Sequence, residues 1–157
     1  MFGRRHKLWS TAAIVLLALT AAACGGDSND SPTEPTPPAP QGPATMQTTE
    51  ITVGEGAEAV ANSGVFVHYT VWRYEPSGTD SKGTQLDTSV GRNPLSFVVG
   101  TTQYIAGLSQ GTLGMRVGGK RRVIIPPNLA YGTTGSSDGT IRPNEWLVFE
   151  LELLSVA

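Results

Sequence analysis

The segment from Trp146 to Val156, WLVFELELLSV, alternates with a period of two: Leu147, Phe149, Leu151 and Leu153 point one way, Glu150 and Glu152 the other. A helix repeats its side chains about every 3.6 residues and cannot hold that alternation on one face, so a strand with one face buried is predicted here. Alternation of this kind belongs to antiparallel sheets, because strands of a parallel sheet are covered on both faces and read as continuous apolar runs.

Neighbours for that strand are legible upstream. Val65 to Val71 places Val65, Val67, Tyr69 and Val71 on one face and Phe66, His68 and Thr70 on the other, with Trp72 continuing the second set. Arg122 to Ile125 and Leu95 to Val99 supply two more strands, and Thr48 to Val53 an edge. Between Thr102 and Gly114 the apolar positions Tyr104, Ile105, Leu108 and Leu113 recur at closer to helical spacing. Gly107, Gly111 and Gly114 keep that helix short, the first two reading as helix-end glycines. The predicted class is α+β, an antiparallel half-barrel packed on one short helix. After Val123 to Ile125, Pro126 and Pro127 cannot donate to a ladder and should stop the sheet. Tyr131 follows between Ala130 and Gly132, either as a core residue or as one wall of a pocket.

The first forty-five residues contribute nothing to that core. Arg4, Arg5 and Lys7 precede an apolar, small-residue run from Leu8 to Ala23, the length of a signal-peptide core and short for a membrane span. Residues 1–23 are therefore predicted to be an export signal. Cys24, the only cysteine, follows Thr20-Ala21-Ala22-Ala23 in an arrangement that resembles a bacterial lipobox, with Ala21 where leucine is usual. That resemblance implies a lipidated Cys24; an ordinary signal cleaved after Ala21 to Ala23 is the alternative. Residues 24–45 are rich in proline and lack large apolar side chains, which predicts a disordered tether. Residues 46–157 form the domain. The expected location is outside the cytoplasm, lipid-anchored in the cell envelope and facing the periplasm or exterior.

Of eleven Lys/Arg and thirteen Asp/Glu, Arg4, Arg5, Lys7, Asp27, Asp30 and Glu34 precede Met46, which leaves eight against ten in the domain. That balance predicts no nucleic-acid surface, and the one basic run, Lys120-Arg121-Arg122, reads as a solvated strand edge. The absence of cysteine after Cys24 predicts a fold held by packing alone.

Gly107-Leu-Ser-Gln-Gly111 matches the nucleophile elbow G-x-S-x-G, but the one histidine of the domain, His68, precedes the serine, whereas in that hydrolase fold the base follows it. One histidine and scattered carboxylates predict no metal site, and Gly118-Gly119-Lys120 lacks the spacing of a phosphate loop. No cofactor is expected. What remains is an apolar site with a few polar atoms, suited to binding.

Seven short segments in order then resemble the FKBP-type peptidyl-prolyl cis-trans isomerases: Val67-His-Tyr-Thr70, Leu86-Asp-Thr-Ser89, Leu95-Ser-Phe-Val-Val-Gly100, Tyr104-Ile-Ala-Gly-Leu108, Val117-Gly-Gly-Lys120, Ala130-Tyr-Gly132 and Leu147 to Leu153. The resemblance runs from about Thr48 onward. It implies five to six antiparallel strands around one helix, and rotation of X-Pro bonds without covalent chemistry. Tyr69, Asp87, Ile105, Tyr131 and Phe149 match the positions that carry activity. By the same resemblance the Tyr131 hydroxyl and the Ile105 N–H meet substrate carbonyls. Leu86, Leu95, Phe97, Tyr104, Leu108 and Ile141 match substrate-binding positions, Ile141 in the loop that closes over the site. Leu86, Leu95 and Leu108 stand where the family usually has aromatics, Leu108 where it has a tryptophan floor. The implied partners are proline-containing polypeptides and, weakly, macrolides, with the chain a monomer. Trp72 to Thr84 reads as a bulged insert of the kind some bacterial members carry, and a catalytically weak peptide-binding module on the same fold is the alternative function.

Overall fold

A computed structural model describes residues 40–157; the leader, Cys24 and the tether up to residue 39 lie outside the described residues. Among the described residues six strands form one antiparallel sheet: β1 (Gln47–Thr52), β2 (Gly64–Tyr74), β3 (Lys82–Thr88), β4 (Leu95–Val98), β5 (Lys120–Ile125) and β6 (Leu147–Val156), with one α-helix, α1 (Ala106–Thr112). The order across the sheet is β1-β5-β6-β2-β3, and β4 pairs with the first half of β2. The long strands β2 and β6 lie side by side from Val65↔Val156 to Arg73↔Leu147.

The alternation sorts as expected. Val65, Val67, Leu147, Leu151 and Leu153 are essentially inaccessible and join Val123, Ile125 and Met115 in one cluster between the concave face and α1. Val148, on the other face of β6, is also fully buried, but apart from that cluster.

Helix α1 packs on β5 closely enough to redefine its glycines. Gly107 and Gly111 each lie one residue inside an end of the helix, and both are buried. A methyl on Gly107 would stand 2.3 Å from Ile125 Cγ2, and one on Gly111 2.9 Å from Val123 Cγ2. The helix lacks side chains on that stripe because the sheet occupies the space. Leu113, the last of the apolar positions at near-helical spacing, is its exposed C-cap residue. Arg121 reaches over from β5 and donates from Nη1 to the carbonyls of Gly111 and Leu113, both at 2.8 Å, satisfying acceptors that the last turn leaves open. Ser109, the serine of the elbow-like motif, accepts the Gly100 N–H at 2.6 Å and is buried, so it ties α1 to the loop after β4.

The Trp72 to Thr84 stretch is not an insert outside the sheet. β2 runs through it to Tyr74, and β3 returns from Lys82, with register shifts on either side of Trp72. Ion pairs Lys82–Glu150 (2.5 Å) and Arg122–Asp80 (2.7 Å) link this hairpin to β6 and β5, and the Lys82 ammonium lies 4.4 Å from the Trp72 ring centre. The basic run of β5 is paired throughout: Lys120 with Glu152, Arg121 with Glu50, Arg122 with Asp80 and Glu150. His68 Nδ1 lies 3.1 Å from Ser89 Oγ, as a strand histidine with a satisfied ring should. The Trp146 indole donates to the Pro43 carbonyl at 3.1 Å, and Gly42 lies against the same ring.

Candidate active site

At one end of the core, inward side chains of β2 and β6 line a concave cavity of about 570 Å³. Tyr69 and Val71 come from β2, Leu86 and Asp87 from β3, Leu95 from β4 and Phe149 from β6. Tyr104 and Ile105 arrive from the bend before α1, and Leu108 from its first turn. Tyr131 follows the 3-10 turn Pro127–Leu129 that the two prolines start. Ser136, Ser137, Asp138, Thr140 and Ile141 complete the wall from the next loop.

Every residue matched by resemblance lines this cavity except Phe97. Phe97 is 4% exposed and stands behind Tyr104, edge to face, with ring centres 5.9 Å apart. It buttresses the wall from inside the core instead of forming it, because β4 turns it toward the cluster. Val71, Ser136, Ser137, Asp138 and Thr140 were not anticipated. Val71 was visible as a core position of β2. The serines and Asp138 sit in S-S-D-G, which marks a turn but not what the turn faces.

The floor is apolar. Leu108 is 3% exposed and Phe149 6%, and the Phe149 ring lies 6.1 Å from that of Tyr69 at a tilt of 44°. The two phenols differ in their bonding. Tyr69 donates its hydroxyl to Asp87 Oδ2 at 2.5 Å, whereas the Tyr131 hydroxyl donates to no group among the described residues. The Ile105 N–H is likewise without an acceptor among the described residues. Two residues of the cavity lining therefore carry donors that no acceptor among the described residues meets.

Burial pushes the Tyr69 phenol up to about 12, and its hydrogen bond to Asp87 adds to the rise. Burial also raises the Asp87 carboxyl, but hydrogen bonds from Tyr69 and Arg92 outweigh it and hold the group below the usual aspartate value. Arg92 pairs with Asp87 from outside the cavity. The Tyr131 phenol is raised by burial, then by the charges of Asp138 and Asp87. Because the folded-state value of Tyr69 exceeds 10, the stability it contributes is intact below pH 10 and is lost as pH climbs through about 12. In a phenolate absorbance titration Tyr69 is expected to ionise near pH 12. Asp87→Asn should bring that step down without returning it to 10, since burial, the larger cause, remains. An unmoved step would mean that the Tyr69 to Asp87 bond does not form in solution.

The loop over the cavity is fastened at its far end. Glu145, 4% exposed, accepts from Arg73 Nη1 at 2.8 Å and from the Arg142 N–H at 2.7 Å, while Arg73 Nη2 donates to the Thr140 carbonyl at 2.6 Å. Arg73 thus links β2 to the backbone beside Ile141. Among the described residues no cluster of side chains could hold a metal ion, and no helix is long and apolar enough to cross a membrane.

The sequence model of the family described as FKBP-type peptidyl-prolyl cis-trans isomerase matches residues 55–154. An FK506-binding protein of Streptomyces anulatus is 40% identical over 114 residues, 72% of this chain and 87% of its own length. One from Neisseria meningitidis serogroup A is 40% identical over 108 residues, 68% of this chain and 92% of its own. A solved peptidyl-prolyl cis-trans isomerase from Pseudomonas syringae superimposes with a TM-score of 0.59 at 34% identity, covering 71% of this chain and 75% of that one.

Proposed function

The chain belongs to the FKBP-type peptidyl-prolyl cis-trans isomerase family, and from that premise we propose that its cavity isomerises X-Pro bonds of exported proteins by non-covalent selection of the twisted amide. The observation that carries the mechanism is a cavity with an apolar floor whose lining includes Tyr131 and Ile105, the Tyr131 hydroxyl and the Ile105 N–H having no acceptor among the described residues.

The planar peptide bond owes its barrier to resonance, and an uncatalysed X-Pro rotation takes roughly tens of seconds. Twisting the bond removes the resonance and with it part of the carbonyl's polarity. Apolar walls of Leu108, Ile105 and Phe149 favour that less polar form over the planar one and seat the proline ring. The two donors then hold the flanking carbonyls. No nucleophile or proton transfer enters this scheme. Tyr69 and Asp87 act on the rim, where their mutual bond fixes the Tyr69 ring against Phe149.

Leu108 presents less area than the indole usual at this place, so macrolides should bind weakly while turnover suffers less, since binding shared by ground and transition states does not set turnover.

Tyr131→Phe tests the scheme. Removing a hydroxyl that bonds only to substrate should lower kcat/KM about two- to tenfold, from the ~0.5–1.5 kcal/mol net value of one hydrogen bond, and hardly move the melting temperature. Unchanged turnover on a proline peptide would rule the hydroxyl out of the reaction, and an unfolded variant would make Tyr131 a core residue. The catalytically weak binding module is the second reading, favoured by leucine at positions 86, 95 and 108; it predicts peptide binding without acceleration.

Export supplies the setting. Cleavage before Cys24 and its lipidation would hold the domain on a membrane through the proline-rich tether, facing folding proteins outside the cytoplasm. Cys24→Ala should move the protein from the membrane to the soluble fraction or leave an uncleaved precursor, and membrane retention of a processed variant would refute the anchor.

A further inference from the structure

The charge of the cavity is unbalanced. Its lining contains two carboxylates, Asp87 and Asp138, and no lysine or arginine. Asp87 is compensated, because Arg92 pairs with it and Tyr69 donates to it. Asp138 has no cationic partner among the described residues.

Neutral donors fix the Asp138 carboxylate in place. Its Oδ1 accepts from Ser136 Oγ at 2.5 Å and from the Thr140 N–H at 3.1 Å, and its Oδ2 from Thr140 Oγ1 at 2.8 Å. These bonds hold its carboxyl down at about 2, so it carries its charge throughout the working range. The turn beneath it is tied in turn to Ile141: the Ile141 N–H donates to Ser136 Oγ at 2.8 Å and the Ser136 N–H to the Ile141 carbonyl at 2.9 Å. The segment that lays Ile141 along the cavity therefore sets the carboxylate on the same rim, close enough to Tyr131 for its charge to raise that phenol after burial has done so.

We propose that Asp138 makes the pocket select prolines flanked by a lysine or arginine. The inference rests on the isomerase reading of the cavity and adds the substrate class to it. An apolar floor seats the proline ring but is blind to charge, so the residues beside the proline are read at the rim. A cationic neighbour meets a carboxylate already oriented and needing no rearrangement. An acidic neighbour meets that same charge and gains no compensating cation, since Arg92 is engaged by Asp87. Lysine and arginine are long enough to reach the rim from either side of the proline.

The test uses peptides that differ only in the residue before or after a single proline, with lysine, leucine or glutamate there. Cis-trans exchange measured by NMR reads turnover, and titration of the same peptides reads binding. Lysine is expected to exceed leucine by about two- to fivefold in both, the range of a solvent-accessible ion pair, and glutamate to fall below leucine by a similar factor. In Asp138→Asn, whose amide keeps an acceptor toward Ser136 and Thr140, the lysine-to-leucine ratio should fall to about one. Salt probes the same attraction without a mutation, because raising it from about 0.05 M to about 0.5 M should erode the preference in the unaltered protein. Equal ratios for lysine and leucine, or a lysine preference that survives both changes, would overturn the inference and leave the isomerase reading intact. Exchange absent for every peptide would overturn that reading instead, and the binding ratios would still decide whether Asp138 selects a cation.

Discussion

Glu145→Ala is expected to destabilise the domain by about 3 kcal/mol, near the lower end of what is lost when one member of a buried ion pair is removed. Glu145 is the buried partner at 4% exposure, while Arg73 at 23% keeps some contact with water and is relieved of part of the penalty. More than a charge goes with the carboxylate. The Arg142 N–H loses its acceptor, and Arg73 loses the restraint that aims its second nitrogen at the Thr140 carbonyl. The loop that carries Ile141 and Asp138 should loosen before the sheet melts, so amide exchange at Ile141 should rise more than at Leu151. Urea midpoints provide the stability value. Removing both partners, with Arg73→Met added, should cost less than the sum of the single changes, because no orphaned charge remains. A Glu145→Ala loss below about 1 kcal/mol would make the pair ordinary surface decoration.

Phe149→Ala should be costlier still, about 3–5 kcal/mol, since it removes an almost fully buried aromatic from the middle of the sheet. Phe149 stands opposite Val71 on β2 and Val123 on β5, so strands on both sides keep the space from collapsing. The same deletion strips the cavity of a wall and Tyr69 of its ring partner. Turnover should therefore be lost even at temperatures where the variant stays folded. Phe149→Leu keeps most of the apolar volume and should retain most of the stability while still weakening proline binding, which separates the two roles. A Phe149→Ala variant with unaltered denaturant midpoint would place this residue outside the core.

Strand alternation carried the fold. Val65, Val67, Leu147, Leu151 and Leu153 could be assigned to one face because water rejects apolar area whatever the partner strand is, and the structure buries all five. β3 was missed as a strand for the opposite reason. KGTQLDT has little apolar area of its own, and the hairpin is held by β2 and by charges on β5 and β6 that lie far away in sequence. The close packing of Gly107 and Gly111 was hidden in the same way. Glycine near the end of a short apolar run looks like a terminator until a sheet is placed within 3 Å of where its side chain would be.

Local pattern and the order of short motifs sufficed for the antiparallel class, the single short helix, the family and the cavity residues that project from strands, because side-chain period and propensity act over a few residues. Phe97 as a buttress behind Tyr104, the Arg73–Glu145 fastening and Asp138 as the uncompensated charge of the rim were decided only by tertiary structure. Each depends on which groups from distant parts of the chain come within a few ångströms, and burial and charge compensation are properties of that neighbourhood, not of any residue or its immediate sequence.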